Sequence, residues 1–420
     1  MIEQELRAAG LPPLPRLAWA EIDLEALASN VRAIRSLVEP GVAIAAVVKA
    51  DAYGHGLIEA AAAFVRGGTE RLCVATLDEG LALRRAGMTA PVLVLFSIPV
   101  DAVARAVAAD LELVAADEDA VKALLAAWRA APDGRSGRDL RLQVEIETGL
   151  ARAGVEPDRA ARLVMEIVNT PGCRVTGLWS HLARSEDAEV SAEQERLLQR
   201  AATGLRDASL SVPPLHLAAT GGLFAASGGH PAMVRPGLCL YGELPEDFPI
   251  DPSARAAADA LRPAMTLKAR PLRIAHIAAG TPVGYGGRWT AERPSRIATL
   301  PLGYGDGWAR VYQPGAVALI RGRRVPLVGS VAMDAIIADV TDVPEATSED
   351  EFVLLGAQGT DRITAQELAR RRTTITWEVT TGIANRLPRV YHADSGWVSV
   401  RTLDEGSRLG AGSADPGAVR

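Results

Sequence analysis

The chain has 420 residues, 48% of them hydrophobic and 23% charged, with a net charge of −6 and a pI near 5.7. At roughly 150 residues per domain this length predicts two or three domains with a sizeable core, and the composition is that of a globular protein rather than a disordered or fibrous one. No long block of Lys or Arg offers a continuous positive face to phosphates, which argues against nucleic acid as a partner. The first ten residues carry Glu3, Glu5 and Arg7 where a signal peptide needs an apolar run, and no stretch of about 18 uncharged apolar residues follows. A soluble, cytoplasmic protein without membrane association is expected.

Cys73, Cys173 and Cys239 are odd in number, far apart and set in apolar sequence, so reduced, buried thiols are expected rather than disulfides. None has metal-ligand spacing, and no metal is expected. Of the 45 basic residues 42 are arginine, leaving Lys49, Lys122 and Lys268 as the only candidates for lysine chemistry.

Leu11–Pro15 can continue neither helix nor central strand, and regular structure is expected from near Leu17. Between Val42 and Gly242 eight short apolar runs read as strands: Val42–Val48, Leu72–Thr76, Pro91–Phe96, Leu111–Ala115, Leu142–Ile146, Arg174–Ser180, Leu215–Ala218 and Met233–Tyr241. Between them Leu57–Arg66, Glu79–Ala86, Asp117–Ala130 and Arg159–Val168 have helical periodicity. Eight strand-helix units in about 200 residues predict a (β/α)8 TIM-type barrel over 17–245; periodicity alone also accommodates a doubly wound open sheet. Prolines 245, 249, 252 and 263 break the pattern. Beyond them, strands split by Gly and Asp turns predict a mainly-β C-terminal domain over 262–405, with one helix from Thr364 to Arg371. Residues 406–420 are expected to be a disordered tail.

In such a barrel the working residues sit at the C-terminal ends of strands. The first strand runs straight into Lys49, where burial would lower the amine's pKa; for a lone lysine the alternative is a surface residue ending a strand, the reading that suits Lys122 and Lys268. Later strand ends supply Arg152, His181, Thr220 with Gly221 and Gly222, and Arg235 with Gly237. Small residues there would let backbone N–H groups approach an anion.

Five segments then carry a specific resemblance. Ala46–Gly56 (AVVKADAYGHG), Met233–Gly237 (MVRPG), Val283–Gly286 (VGYG), Gly303–Gly307 (GYGDG) and Met333–Asp334 resemble, in order and spacing, signature stretches of the alanine racemase family, over about Ala18 to Val400. The resemblance implies a pyridoxal 5'-phosphate (PLP) barrel in which Lys49 holds the cofactor as a Schiff base and serves as one of two catalytic bases, with Tyr285 as the other. It further implies cofactor contacts from Tyr53, Arg152, His181, Thr220, Arg235, Gly237, Leu238 and Trp377. Arg235 would face the pyridine nitrogen and Arg152 the phenolic oxygen. Substrate contacts fall to Arg152, Tyr304, Met333 and Asp334. Tyrosine is a weak base near neutrality, and His181 with Arg235 is a candidate chain to support its phenolate. The implied activity is interconversion of L- and D-alanine, supplying D-alanine for peptidoglycan. Tyr285, Tyr304 and Met333 would act across a head-to-tail homodimer.

Three positions depart from the family's pattern. Glu145 stands where many members have a carbamylated lysine and would supply the same negative charge to Arg152; a packing role inside the barrel is the alternative. Ala219-Thr220 replaces a common Asn-Ser, and Trp377 a usual tyrosine, which leaves room for a serine or broad-specificity racemase. A non-catalytic PLP-binding protein is a more distant alternative. Decarboxylases of similar plan use a cysteine from the second domain, and all three cysteines here fall in the first.

Overall fold

The computed structural model describes residues 2–130, 137–225, 232–404 and 406–409. The first strand, β1 (Ala18–Asp23), is followed by β2 (Ala43–Val47), β3 (Arg71–Val74), β4 (Val92–Val94), β5 (Leu111–Ala115), β6 (Leu140–Glu145), β7 (Cys173–Trp179), β8 (Leu215–Ala219) and β9 (Met233–Arg235). Strands β2 to β9 form a closed parallel barrel. Closure is made by β2 on β9, with Ala43 opposite Met233 and Ile44 opposite Val234, so the ring has no open edge and the open-sheet alternative is excluded. The strands are mostly apolar because both faces are covered. The intervening helices turn alanine and leucine inward: in Leu57–Arg66 the residues Ala60, Ala61, Ala63 and Phe64 are fully buried. Cys73, Cys173 and Cys239 are buried free thiols.

The last barrel strand is shorter than the run Met233–Tyr241. Pro236 has no N–H for the ladder, and Leu238–Tyr241 tightens into a 3₁₀ turn. A larger difference concerns the chain's beginning, which the sequence placed with the barrel from residue 17. Strand β1 pairs instead with Met265–Ala269 and Arg389–Ala393, and it is buried almost throughout, as a central strand must be. One compact unit comprises Leu27–Ala52 with Ala60–Arg262; the other holds the chain before Leu27, Tyr53–Glu59 and the chain from Pro263.

The second unit is built on a 12-stranded sheet that includes β1. Its helix Ala365–Arg372 starts as expected, with Thr364 accepting from the Glu367 N–H, but a second helix, Thr376–Thr381, was not foreseen. Lys268 is no surface residue. It lies between the Glu21 and Glu351 carboxylates, 3.0 Å from each. Of the expected disordered tail, 406–409 is a strand on Gly396–Thr402; it covers what would otherwise be an exposed row of backbone donors and acceptors, a job that makes few demands on side-chain type. Residues 410–420 lie outside the described residues.

One side chain ties the barrel's first helix to the end of its chain. Asn30, fully buried in helix Leu24–Arg35, donates to the Leu240 and Arg262 carbonyls at 3.0 and 2.9 Å and accepts from the Arg262 N–H at 2.9 Å. Asn30→Leu keeps the volume but strands three buried polar partners, so the unfolding midpoint in urea should fall by the equivalent of about 2–4 kcal/mol. An unchanged midpoint would show the three bonds contribute no net stability.

Candidate active site

Lys49 is set at the barrel mouth by an unusual backbone. Ala50, Asp51 and Ala52 follow it at φ 54°, 54° and 52°, and Tyr53 at 53°, four consecutive non-glycine residues in the left-handed region. That conformation costs about 1–2 kcal/mol per residue for an L side chain, so neighbours must impose it. Glu79 does much of this. Its carboxylate accepts from the Ala50 N–H at 2.6 Å and from the Ala75 and Thr76 N–H groups at 2.9 and 3.1 Å, clamping the ends of β2 and β3 together. Desolvation, reinforced by the nearby Arg152 charge, lowers the Lys49 pKa below its ordinary value, with Glu79 opposing.

Arg235 lies wholly inside the barrel. Its guanidinium donates to the Ser180 carbonyl at 2.6 Å and the Leu217 carbonyl at 3.2 Å, pairs with His216 Nδ1, and reaches His181 Nδ1 at 3.4 Å. It also sits 4.6 Å from the centroid of Trp179, a cation–π contact. Burial brings its pKa down to about 10, still far above neutrality. Burial, then the Arg235, Arg152 and Lys49 charges, push His181 down to about 3, and burial with Arg235 holds His216 well below the ordinary histidine range. Both imidazoles are therefore neutral.

At the ends of β8 and β9 the chain gathers backbone donors. Thr220 opens the short turn Thr220–Phe224, and its hydroxyl accepts from the Gly237 N–H at 3.1 Å and the Cys239 N–H at 3.5 Å. Gly221 has no room for a side chain, since a Cβ would lie 1.9 Å from Ser185 Oγ. Across the mouth, Glu145 is buried on β6 and meets Arg152 at 3.3 Å; the guanidinium also lies 5.6 Å from the Phe96 ring centroid. Burial raises the Glu145 carboxyl above its ordinary value, and Arg152 offsets part of this.

The barrel unit thus brings together Lys49, Arg152, His181, Thr220, Arg235, Gly237 and Leu238. Tyr53 belongs to the other unit, as do Tyr285, Tyr304, Met333, Asp334 and Trp377. Tyr285 sits at the tip of a two-stranded hairpin, Pro282–Val283 with Trp289–Thr290, flanked by Gly284 and Gly286 at φ 73° and 74°. The Ser330 hydroxyl donates to its carbonyl at 3.0 Å. The same loop continues to Met333, whose carbonyl accepts from the Gly305 N–H at 2.9 Å, while the Tyr304 N–H reaches Ala332 at 3.0 Å. Gly303 allows this approach, because a Cβ would fall 2.2 Å from the Ala332 carbonyl oxygen. Arg386 then bridges Asp306 and Asp334 at 2.8 and 2.5 Å. Tyr285, Tyr304 and Met333 are 74%, 41% and 52% exposed, a large apolar rim. Trp377 lies in the first turn of the helix Thr376–Thr381, where its carbonyl accepts from the Thr381 hydroxyl at 2.6 Å.

Sequence reasoning missed Glu79, Trp179, His216 and Arg386. Glu79 carried the only signal, three residues after Thr76 in the pattern of a helix-capping box, which concealed its second task.

Fold and mouth define a lysine-centred (β/α)8 barrel enzyme with an appended β unit. Residues 22–245 match the Alanine racemase, N-terminal domain family and residues 264–391 the Alanine racemase, C-terminal domain family. The chain is 36% identical over 374 residues to Alanine racemase 2 of Caldanaerobacter subterraneus subsp. tengcongensis, covering 88% of this chain and 94% of that one. It is likewise 36% identical over 381 residues to the alanine racemase of Desulfovibrio desulfuricans, covering 90% and 98%. Among solved structures, the alanine racemase of Bacillus anthracis with bound L-Ala-P superposes with a TM-score of 0.84 at 29% identity, over 93% of this chain and 99% of that one. This chain belongs to the alanine racemase family.

The three lysines should separate by reactivity. In competitive acetylation of the cofactor-free protein across pH, Lys49 should become nucleophilic below the ordinary lysine value of about 10.4, because deprotonation relieves a desolvated charge beside Arg152. For Lys268 burial pulls downward, but the Glu21 and Glu351 carboxylates win and raise it, so it should react last. Mass spectrometry of the labelled peptides measures the order, and Lys268 reacting before Lys49 would reverse the electrostatics described.

Proposed function

We propose that the chain interconverts L- and D-alanine using PLP carried on Lys49. The observation that carries this reading is the desolvated Lys49 amine at the mouth of a barrel that also buries Arg235, in a chain of the alanine racemase family. The residues fit the cofactor. An aldehyde needs an unprotonated amine, which Lys49's lowered pKa favours; a phosphate needs backbone donors at close approach, which Gly221 and Gly222, without side chains at the start of the Thr220–Phe224 turn, would supply. When bound, PLP supplies an electron-withdrawing ring conjugated to the amino-acid nitrogen, which makes the Cα proton removable.

Lys49 Nζ would move that proton on one side of Cα and Tyr285 Oη on the other. Arg235 stays protonated near neutrality, so, placed toward the ring nitrogen, it would oppose protonation there and limit side reactions that need a stronger electron sink. Arg152 would orient the phenolic oxygen and the substrate carboxylate, with Tyr304, Met333 and Asp334 completing the substrate side and Tyr53, His181, Leu238 and Trp377 the cofactor side. Glu145 would hold Arg152 in place. We place the reaction in the cytoplasm, where it would supply D-alanine for peptidoglycan; among the described residues no helix is long and apolar enough to cross a membrane. The exposed rim of Tyr285, Tyr304 and Met333 suits cover by a second copy in a head-to-tail homodimer.

Borohydride reduction and peptide mapping should find the pyridoxyl group on Lys49; finding it on Lys122 or Lys268 would overturn the assignment. Tyr285→Phe should lower racemisation about 10²–10⁴-fold, while in deuterated buffer one alanine enantiomer still exchanges its α-proton through Lys49. Equal exchange of both enantiomers would refute a two-base division. A serine panel in the same assay tests whether Trp377 and Ala219-Thr220 widen the pocket.

Glu145→Gln keeps the shape but removes the charge. Its kcat/KM for alanine should drop about tenfold, the scale of a lost charge-assisted bond. Wild-type kinetics in this variant would return Glu145 to a packing role.

A further inference from the structure

Behind Arg235 and His216 the barrel lumen continues as a line of polar side chains that lie outside the site described above. Arg235 pairs with His216 Nδ1. His216 Nε2 meets Gln143 Oε1 at 2.8 Å, and Gln143 Nε2 donates to Glu112 Oε2. Glu112 also takes an ion pair from Arg71 at 2.5 Å, and Arg141 lies 3.8 Å from its other oxygen. Glu112, Gln143, His216 and Arg235 are each at most 3% exposed.

The polarity of this line is dictated by its ends. A guanidinium can only donate and a carboxylate can only accept. His216 Nδ1 must therefore be the bare, accepting nitrogen, its Nε2 must carry the proton, and Gln143 must turn its oxygen toward His216 and its nitrogen toward Glu112. No other assignment satisfies every member. Protonating His216 would set an N–H against the guanidinium, in keeping with the depressed pKa of that imidazole.

The barrel makes room for this line. On β7 the residue opposite Gln143 is Gly177, and a Cβ there would lie 2.8 Å from Gln143 Oε1 and 3.2 Å from His216 Nε2. Gly177 has no positive φ to explain it, being absent from the left-handed residues; its hydrogen atom faces the hydrogen bond itself. Trp179, two residues on, stacks on the His216 ring at 5.8 Å and 3° and fixes its plane.

We propose that Glu112, Gln143 and Gly177 are positioning residues, which lock His216 as its Nε2–H tautomer and thereby hold the Arg235 guanidinium in one orientation toward the cofactor ring. This rests on the reading of Arg235 as the residue facing the ring nitrogen.

The test uses the holoenzyme with ¹⁵N-labelled histidine, the His216 signals being assigned by their loss in His216→Gln. Unmodified protein should show one neutral Nε2–H tautomer. Gly177→Ala, which keeps every polar group but displaces Gln143, should make His216 populate both tautomers. It should also raise the PLP dissociation constant about tenfold, the scale of one lost bond to a charged group, and increase the share of cofactor recovered as pyridoxamine phosphate after a fixed number of turnovers. Gln143→Met, close in volume and without polar atoms, should reproduce both changes, so either variant suffices if the other does not fold. An unchanged tautomer in the folded variants overturns the relay. A changed tautomer with unchanged cofactor affinity and unchanged pyridoxamine phosphate overturns its role in holding Arg235 to the ring. Absence of a pyridoxyl adduct on Lys49 in the unmodified protein would instead sink the function reading, leaving the tautomer result to stand or fall by itself.

Discussion

A guanidinium cannot shed its charge by releasing a proton as a buried lysine can, so enclosing Arg235 obliges the surrounding strands to meet it with acceptors. The ends of β7 and β8 do so with the Ser180 and Leu217 carbonyls and His216, and Trp179 adds its ring face. The fixed cation then adds to what burial does to its neighbours. His181 and His216 are kept neutral by burial and by that charge, while the second cation, Arg152, adds to the desolvation that lowers Lys49. Burial, with the two arginine charges added to it, thus keeps the imidazoles neutral and lowers the lysine.

Lys49 depends on a different device. Its strand ends in a left-handed run that no glycine relieves, and the conformation persists because Glu79 ties the Ala50 N–H to the end of β3. Strain of this kind commonly marks functional positions, where surrounding structure over-determines the backbone. Glu79 also places a negative charge close enough to oppose the fall in the lysine's pKa. The clamp that aims the amine therefore also moderates its acidity.

Much of this was legible in the residues. Eight apolar runs announced eight strands of an α/β fold, barrel or open sheet, and the order of Lys49, Arg152, His181, Thr220 and Arg235 along successive strand ends pointed to the mouth. The membership of β1 was not, because an apolar strand does not state which sheet it joins. Nor could Ala-Asp-Ala-Tyr announce four left-handed residues, since of the four only Asp51 is of a type enriched there. The lumen relay was hidden in a subtler way. Glu112, Gln143 and His216 each stand between apolar neighbours in Leu-Glu-Leu, Leu-Gln-Val and Leu-His-Leu, the pattern of a strand with one solvated face. In a closed barrel wrapped by helices neither face is solvated, so a lone polar residue in such a strand points to a polar layer inside. That inference needs the closure first, and only the pairing of β2 with β9 supplies it.

The two arginines of the mouth are held to different standards, and the difference follows from exposure. Arg152 is 41% exposed on its side chain while its partner Glu145, 3.3 Å away, is buried, so water screens the guanidinium in part and the pair holds it less firmly than full burial would. Arg235 is buried together with Ser180, Leu217, His216 and Trp179, where removing one partner of a charged group costs about 3–5 kcal/mol. A weakly held arginine can shift to meet a carboxylate that arrives and departs with each turnover. A strongly held one cannot follow a ligand, and so can only impose a constant field on whatever lies before it. In the proposed reaction substrate recognition would belong on Arg152 and electronic control on Arg235, a division that follows the unequal burial of the two guanidinium groups.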